Sequence, residues 1–160
     1  MDELRIRRAA EGDIPAIDKL LYEVHKVHSD VRPDLFKAGA KKYADDELRR
    51  IIADDARPVF VAEKGGTILG YVFCVHQQHI SSENMTDVKT LYIDDLCVDE
   101  GVRSEHIGRT LYEYVLDYAK QRGYYNVTLN VWADNANALK FYEKLGMRTQ
   151  KIGMEQIVNP

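Results

Sequence analysis

Two aspartates, Asp94 and Asp95, break the otherwise apolar run Leu91-Tyr92-Ile93-Asp94-Asp95-Leu96-Cys97-Val98. A carboxylate facing a cleft takes a proton from an amine, directly or through a water. Strict alternation along a strand sends the two side chains to opposite faces, one toward a cleft and one toward solvent or a buried partner. An ordinary strand end or ion pair offers the same residues. Downstream, Asn135, Ala138, Leu139, Tyr142 and Leu145 recur at helical spacing, which turns Tyr142 inward. A phenol, with an ordinary pKa near ~10, can protonate a departing thiolate, ordinarily near ~8.5, when well placed. A core tyrosine with a satisfied hydroxyl would show the same spacing. A third group is Arg103, Gly108 and Arg109, around a helix that opens near Ile107. Free amides at a helix start, the helix dipole and two guanidinium groups suit a pyrophosphate. The stretch is not a Walker pattern, and a solvated strand-to-helix loop fits it equally.

These residues need elements to position them. Residues 4–7 alternate as a short strand, and Asp13 stands as N-cap before Pro15. Ile14, Ile17, Leu20, Leu21, Val24 and Val27 follow with helical period. Residues 28–42 read as an irregular loop, and 44–53 as a second helix. A strand over 59–62, a Gly65-Gly66 turn and a return strand over 68–75 form a hairpin. A strand over 90–98, a charged loop, a helix closed by Gly123 and a strand over 127–132 follow. The last helix is capped by Asp134 or Asn135, and 150–158 reads as a final strand. The order β-α-α-β-β-β-α-β-α-β predicts one α/β (α+β) domain over residues 1–160.

The stretch Asn135-x-x-Ala138-x-x-Phe141-Tyr142-x-x-x-Gly146-Met147 resembles the C-terminal motif of the GNAT N-acetyltransferase superfamily. The strand 93–98, followed by Val102-Arg103-x-x-x-Ile107-Gly108-Arg109-x-Leu111, is similar to its acetyl-CoA motif. The resemblance implies a mixed, mostly antiparallel sheet flanked by helices, with pantetheine in the gap between splayed strands. It implies backbone contacts to pantetheine from Leu96, Cys97 and Val98. It places the pyrophosphate on Arg103, Ser104, Glu105, His106, Ile107, Gly108 and Arg109. Asn130 would border the gap, and Asn135 and Ala138 would lie beside acetyl-CoA. Tyr142 would be the acid, and Asp94 takes the position where polyamine-type relatives carry a glutamate proposed as base. The family writes glycines where this chain has Ser104 and His106. A bulky Cβ there crowds the turn around phosphate, although the imidazole could add a donor.

In this family the first two helices and their connection shape the acceptor site, so Arg32, Asp34 and Phe36 are candidate substrate contacts. His25 with His28, and His76 with His79, lack a third ligand in a recognised pattern, so no metal is expected. Cys97 has no marked activating base and reads as packing. The 160 residues carry a net charge of −4, which argues against a nucleic-acid footprint. No apolar run reaches the ~18 residues of a membrane span, and no apolar leader opens the chain. Two cysteines set in apolar runs fit a reduced, cytoplasmic protein. The expected activity is acetyl transfer from acetyl-CoA to a small amine by direct attack. A non-catalytic acyl-CoA sensor and a protein N-terminal or lysine acetyltransferase are the alternatives. An unpaired strand edge at the C-terminus would invite a homodimer.

Overall fold

The computed structural model describes residues 2–160, with the side chains of Arg103 and Ser104 outside the described set. The described chain divides into two compact units, Met1–Asn130 and Val131–Pro160.

The first unit holds a five-stranded sheet in the order β1-β2-β3-β4-β5. The strands are β1 (Arg5–Arg8), β2 (Val59–Lys64), β3 (Thr67–Gln78), β4 (Lys89–Val98) and β5 (Asn126–Leu129). The first three pairings are antiparallel, and β4 with β5 is parallel. The sheet is therefore mixed and mostly antiparallel, as expected. Helix α1 (Ile14–Val31) and helix α2 (Asp45–Ile52) precede β2, and α3 (Ile107–Gln121) bridges β4 to β5.

The pleat sorts the core. Val59, Val61, Tyr71, Phe73 and Cys97 share one face and pack with Ile14, Ile17, Leu20 and Leu21 of α1 and with Leu48 and Ile51 of α2. Phe60, on the other face, meets the rings of Tyr114 and Tyr118 of α3. Gly70 sits on that second face, where a Cβ would lie 2.9 Å from the Cys97 carbonyl and 3.2 Å from Leu111 Cδ1. Only glycine lets α3 approach so near. Gly123 has φ +75° and stops the chain after α3, as its place after Lys120 and Arg122 predicts.

Three expectations are corrected. Asp13 does not cap α1 through its side chain. A 3-10 turn over Glu11–Asp13 intervenes, and Asp13 pairs with Arg7 at 2.8 Å. That guanidinium, donating to Asp13, holds its carboxyl below the usual range. Strand β5 stops at Leu129 rather than running to Trp132. The strand expected over 150–158 does not form. A strand exists through its ladder, and residues 148–160 pair with no strand among the described residues. Ile152, Met154 and Val158 are exposed there despite their strand-like spacing.

The second unit contains α4 (Ala136–Lys144). Asn135 is its cap: the side-chain oxygen accepts from the Ala138 amide at 3.1 Å.

Candidate active site

Strand β4 carries the site because its two halves differ. From Thr90 to Ile93 it pairs in register with Asn126 to Leu129 of β5. Beyond Ile93 that pairing ends, while pairing with β3 continues to Val98. Asn130 follows the last paired residue, and its amide donates to the Tyr92 hydroxyl at 3.3 Å. The backbone of Leu96, Cys97 and Val98 lies along the part of β4 that β5 has left. Cys97 itself is 7% exposed and its thiol points to the Leu20 carbonyl at 3.8 Å, a packing role as expected. Cys74 is also in the core, where burial pushes its thiol up to about 12.

A bulge falls at the separation. Phe73 faces Asp95 and Cys74 faces Ile93, so Asp94 is an extra residue with no partner on β3. The expectation that Asp94 and Asp95 point to opposite faces is thereby overturned. Asp95 shares the α1 face through its register with Phe73, and the bulge swings Asp94 to the same side. Tyr43, on the segment between α1 and α2, donates its hydroxyl to Asp94, and Tyr71 donates to Asp95 at 2.6 Å. The Tyr43 ring stacks on Phe73 at 5.4 Å, and Tyr71 meets Phe73 edge-on at 4.9 Å. One aromatic group therefore supports both carboxylates. The Lys42 ammonium lies 3.0 Å from the same Asp94 oxygen that Tyr43 contacts.

Burial separates the two acids. Burial raises the Asp95 carboxyl above the usual range, and the Tyr71 hydroxyl draws it partly back. Burial, followed by the hydrogen bond to Asp94, raises the Tyr43 phenol far above its ordinary value. Tyr43 is thus a donor that keeps its proton, not an acid for a leaving group. Asp94 remains reachable: its side chain is 17% exposed, beside a Lys42 side chain that is 44% exposed.

After β4 comes the turn that leads into α3. A run of 3-10 turns over Glu100–Glu105 leads to α3. His106 joins them with φ +59°, one of two non-glycine residues with positive φ among the described residues. The backbone therefore takes a left-handed step where the GNAT motif writes glycine, and His106 holds that step with a Cβ. Ile107 is buried beneath it. Glu105 is drawn to Lys64 at 3.3 Å, and Arg109 to Glu113 at 2.8 Å. Both pairs are exposed and run along the surface. Arg103 and Ser104 have side chains outside the described residues.

The candidate acceptor residues split. Arg32 and Asp34 satisfy each other through bonds of 2.9 and 2.7 Å. Phe36 stacks on His28 at 5.2 Å and meets His25 edge-on at 5.7 Å, which folds the loop back on α1. His25 bonds the Lys37 carbonyl, and His76 bonds the Tyr124 hydroxyl. On α4, Tyr142 is half-buried and in edge contact with Phe141 at 5.0 Å. Tyr142 belongs to α4, which has no fully buried residue. Sequence reasoning missed Lys42, Tyr43, Tyr71 and Phe73. The i, i+2 spacing of Tyr71 and Phe73 was a signal for one shared face; nothing local marked Lys42 or Tyr43.

Residues 22–147 match the model of the Acetyltransferase (GNAT) family. An uncharacterized N-acetyltransferase of Methanocaldococcus jannaschii is 26% identical over 92% of this chain and 62% of its own length. Glucosamine 6-phosphate N-acetyltransferase of Arabidopsis thaliana is 34% identical over 42% of this chain and 44% of its own. The chain thus matches less than two thirds of either relative. The solved structure of a Bacillus halodurans protein, BH1408 in tetramutant form, superposes with a TM-score of 0.91 at 31% identity. It covers 96% of this chain and 99% of that one. An aminoglycoside acetyltransferase from an uncultured soil metagenomic sample, solved with sisomicin, gives a TM-score of 0.74 at 21% identity. It covers 98% of this chain and 97% of that one, a likeness of fold alone. No helix among the described residues is long and apolar enough to cross a membrane.

Proposed function

Since the chain belongs to the GNAT family of acetyltransferases, we propose that it transfers the acetyl group of acetyl-CoA to a small cationic amine. The observation that carries this reading is the separation of β4 from β5 after Ile93, with a bulged carboxylate at the branch point. Pantetheine would lie along Leu96, Cys97 and Val98 and use backbone groups that β5 no longer faces. The diphosphate would meet the amides of the His106 turn and the start of α3, where the helix dipole favours negative charge. Asn130, Asn135 and Ala138 would line its path.

The acceptor arrives as an ammonium and must lose a proton before it attacks. Asp94 takes that proton, directly or through a water, since its carboxylate is shorter than the glutamate of polyamine-type relatives. The freed lone pair forms the N–C bond with the thioester carbonyl. Backbone N–H groups near Leu96 or Cys97 steady the oxyanion. The C–S bond then breaks, Tyr142 protonates the thiolate, and the second proton leaving nitrogen restores the phenol. Alignment of amine and thioester supplies a large share of the acceleration by removing translational freedom in advance. The reachable carboxylate of Asp94 and the aromatic wall favour a positively charged acceptor over a neutral one.

Calorimetric titration with acetyl-CoA, followed by thiol release with a panel of amines, tests this reading. Micromolar binding with amine-dependent release supports it. Absence of binding up to millimolar acetyl-CoA overturns it. The His106 turn favours one second reading, a non-catalytic acyl-CoA sensor, because its Cβ stands where backbone must curl around phosphate. Binding without release for any amine would select that reading.

A further inference from the structure

Lys41 and Lys42 are neighbours in sequence with different surroundings. Lys41 is held by Asp18 at 2.5 Å and also by Asp45, with only 14% of its side chain exposed. Lys42 has one carboxylate partner among the described residues, the bulged Asp94, and keeps 44% of its side chain exposed. Its ammonium also lies over the Tyr43 ring, 5.5 Å from the centroid, and the exposed stem leaves the side chain room to turn out of both contacts. Its backbone is less free. The next residue, Tyr43, is anchored twice, by its hydroxyl on Asp94 and by its ring on Phe73. The chain thus tethers a primary amine beside the carboxylate assigned as base, one residue from a fixed point.

We propose that Lys42 is itself an acetyl acceptor and that the protein acetylates Lys42 Nζ within its own chain. The inference rests on the acetyl-transfer reading above. Asp94 and Leu96 are two residues apart, about 7 Å along an extended strand, and the four methylenes of lysine span that distance by rotation. The step balances. Lys42 Nζ gives one proton to Asp94, which passes it to solvent. The neutral amine attacks the acetyl carbonyl, the N–C bond forms and the C–S bond breaks. The second proton leaves nitrogen and ends on the thiolate, so the products are acetyl-lysine, free CoA thiol and one released proton. Tethering replaces a collision by a rotation, the condition under which effective concentrations become large. Uncatalysed acetylation gives no such preference. An ammonium paired with a carboxylate is no better a nucleophile than the exposed Lys140 or Lys151.

The experiment incubates the full chain with acetyl-CoA and no added amine, and follows each lysine by peptide mass spectrometry. Lys42 is expected to gain one acetyl group at least ~10-fold faster than Lys140 or Lys151, the advantage of a tethered acceptor. The rate should not depend on protein concentration. Asp94→Asn should reduce the Lys42 signal to that of the exposed lysines, and Lys42→Arg should remove the fast phase from the intact mass. Lys42 modified no faster than Lys151, or at a rate proportional to protein concentration, overturns the proposal. Parallel titration and thiol release separate it from the reading it rests on. Amine-dependent release with Lys42 unmodified sinks self-acetylation alone. Failure to bind acetyl-CoA sinks both.

Discussion

The bulge of β4 and the turn that follows it lie a few residues apart and are built on opposite terms. At the bulge, polar side chains face one another: Tyr43 and Lys42 on Asp94, and Tyr71 on Asp95. At the turn, the charged side chains of Glu105 and Arg109 are engaged by Lys64 and Glu113, and the backbone alone takes the unusual conformation at His106. On the function proposed above, the bulge serves proton chemistry through its side chains, and the turn serves anion binding through its amides.

The largest expected effect falls on the bulge. Asp94→Asn should lower turnover by about 10²- to 10³-fold while acetyl-CoA affinity stays within a few fold, as removal of a general base requires. Steady-state thiol release and calorimetry read the two quantities. Equal turnover in the variant would move the proton acceptor elsewhere. Tyr142→Phe should cost about 10²-fold in turnover with binding retained. An unchanged rate would make Tyr142 a purely structural residue of α4.

The next effect is on stability. Tyr71→Phe strips the donor from a carboxylate that burial already disfavours, at a cost of about 1–3 kcal/mol in denaturant unfolding. The sign with pH follows from the raised carboxyl of Asp95. Its contribution to stability is fully present below the unfolded aspartate value, near ~3.9, and is lost as pH rises through the higher folded value. Asp95→Asn keeps an acceptor for Tyr71 and removes the buried charge, so its stability should decline less from pH 4 to pH 7 than that of the parent. A parallel decline in both proteins would show that Asp95 is not the group responsible.

The smallest effect belongs to the turn. His106→Gly relieves a left-handed residue that costs roughly 1 kcal/mol with a Cβ, offset in part by the entropy of glycine. Net stabilisation of about 0.5 kcal/mol and tighter acetyl-CoA binding are expected, measured by thermal unfolding and calorimetry. Weaker binding would show that the imidazole serves the phosphate as a donor and would narrow the contrast between the two regions.

Much of this architecture was legible residue by residue. The apolar spacing of Ile14 through Val27 marked α1, the Gly65-Gly66 pair marked the β2–β3 hairpin, and Gly123 marked the end of α3. Type and place narrowed the cap of α4 to Asp134 or Asn135, and the structure gives it to Asn135. The tail at 150–158 misled, because Ile152, Met154 and Val158 have strand spacing but find no ladder. Asp13 misled for a related reason: a cap-type residue before a helix was claimed by Arg7 from β1.

The sequence by itself determined most of the elements up to α4, the family and the short list of chemical groups, since each rests on neighbours within a few positions. Tertiary structure alone decided which of those groups meet. A one-residue slip between β3 and β4 turned Asp94 and Asp95 toward a common face, and a segment some fifty residues away brought Lys42 and Tyr43 onto Asp94. Neither event has a local signature, because register is set by the packing of whole faces against the core and not by the residues that it moves.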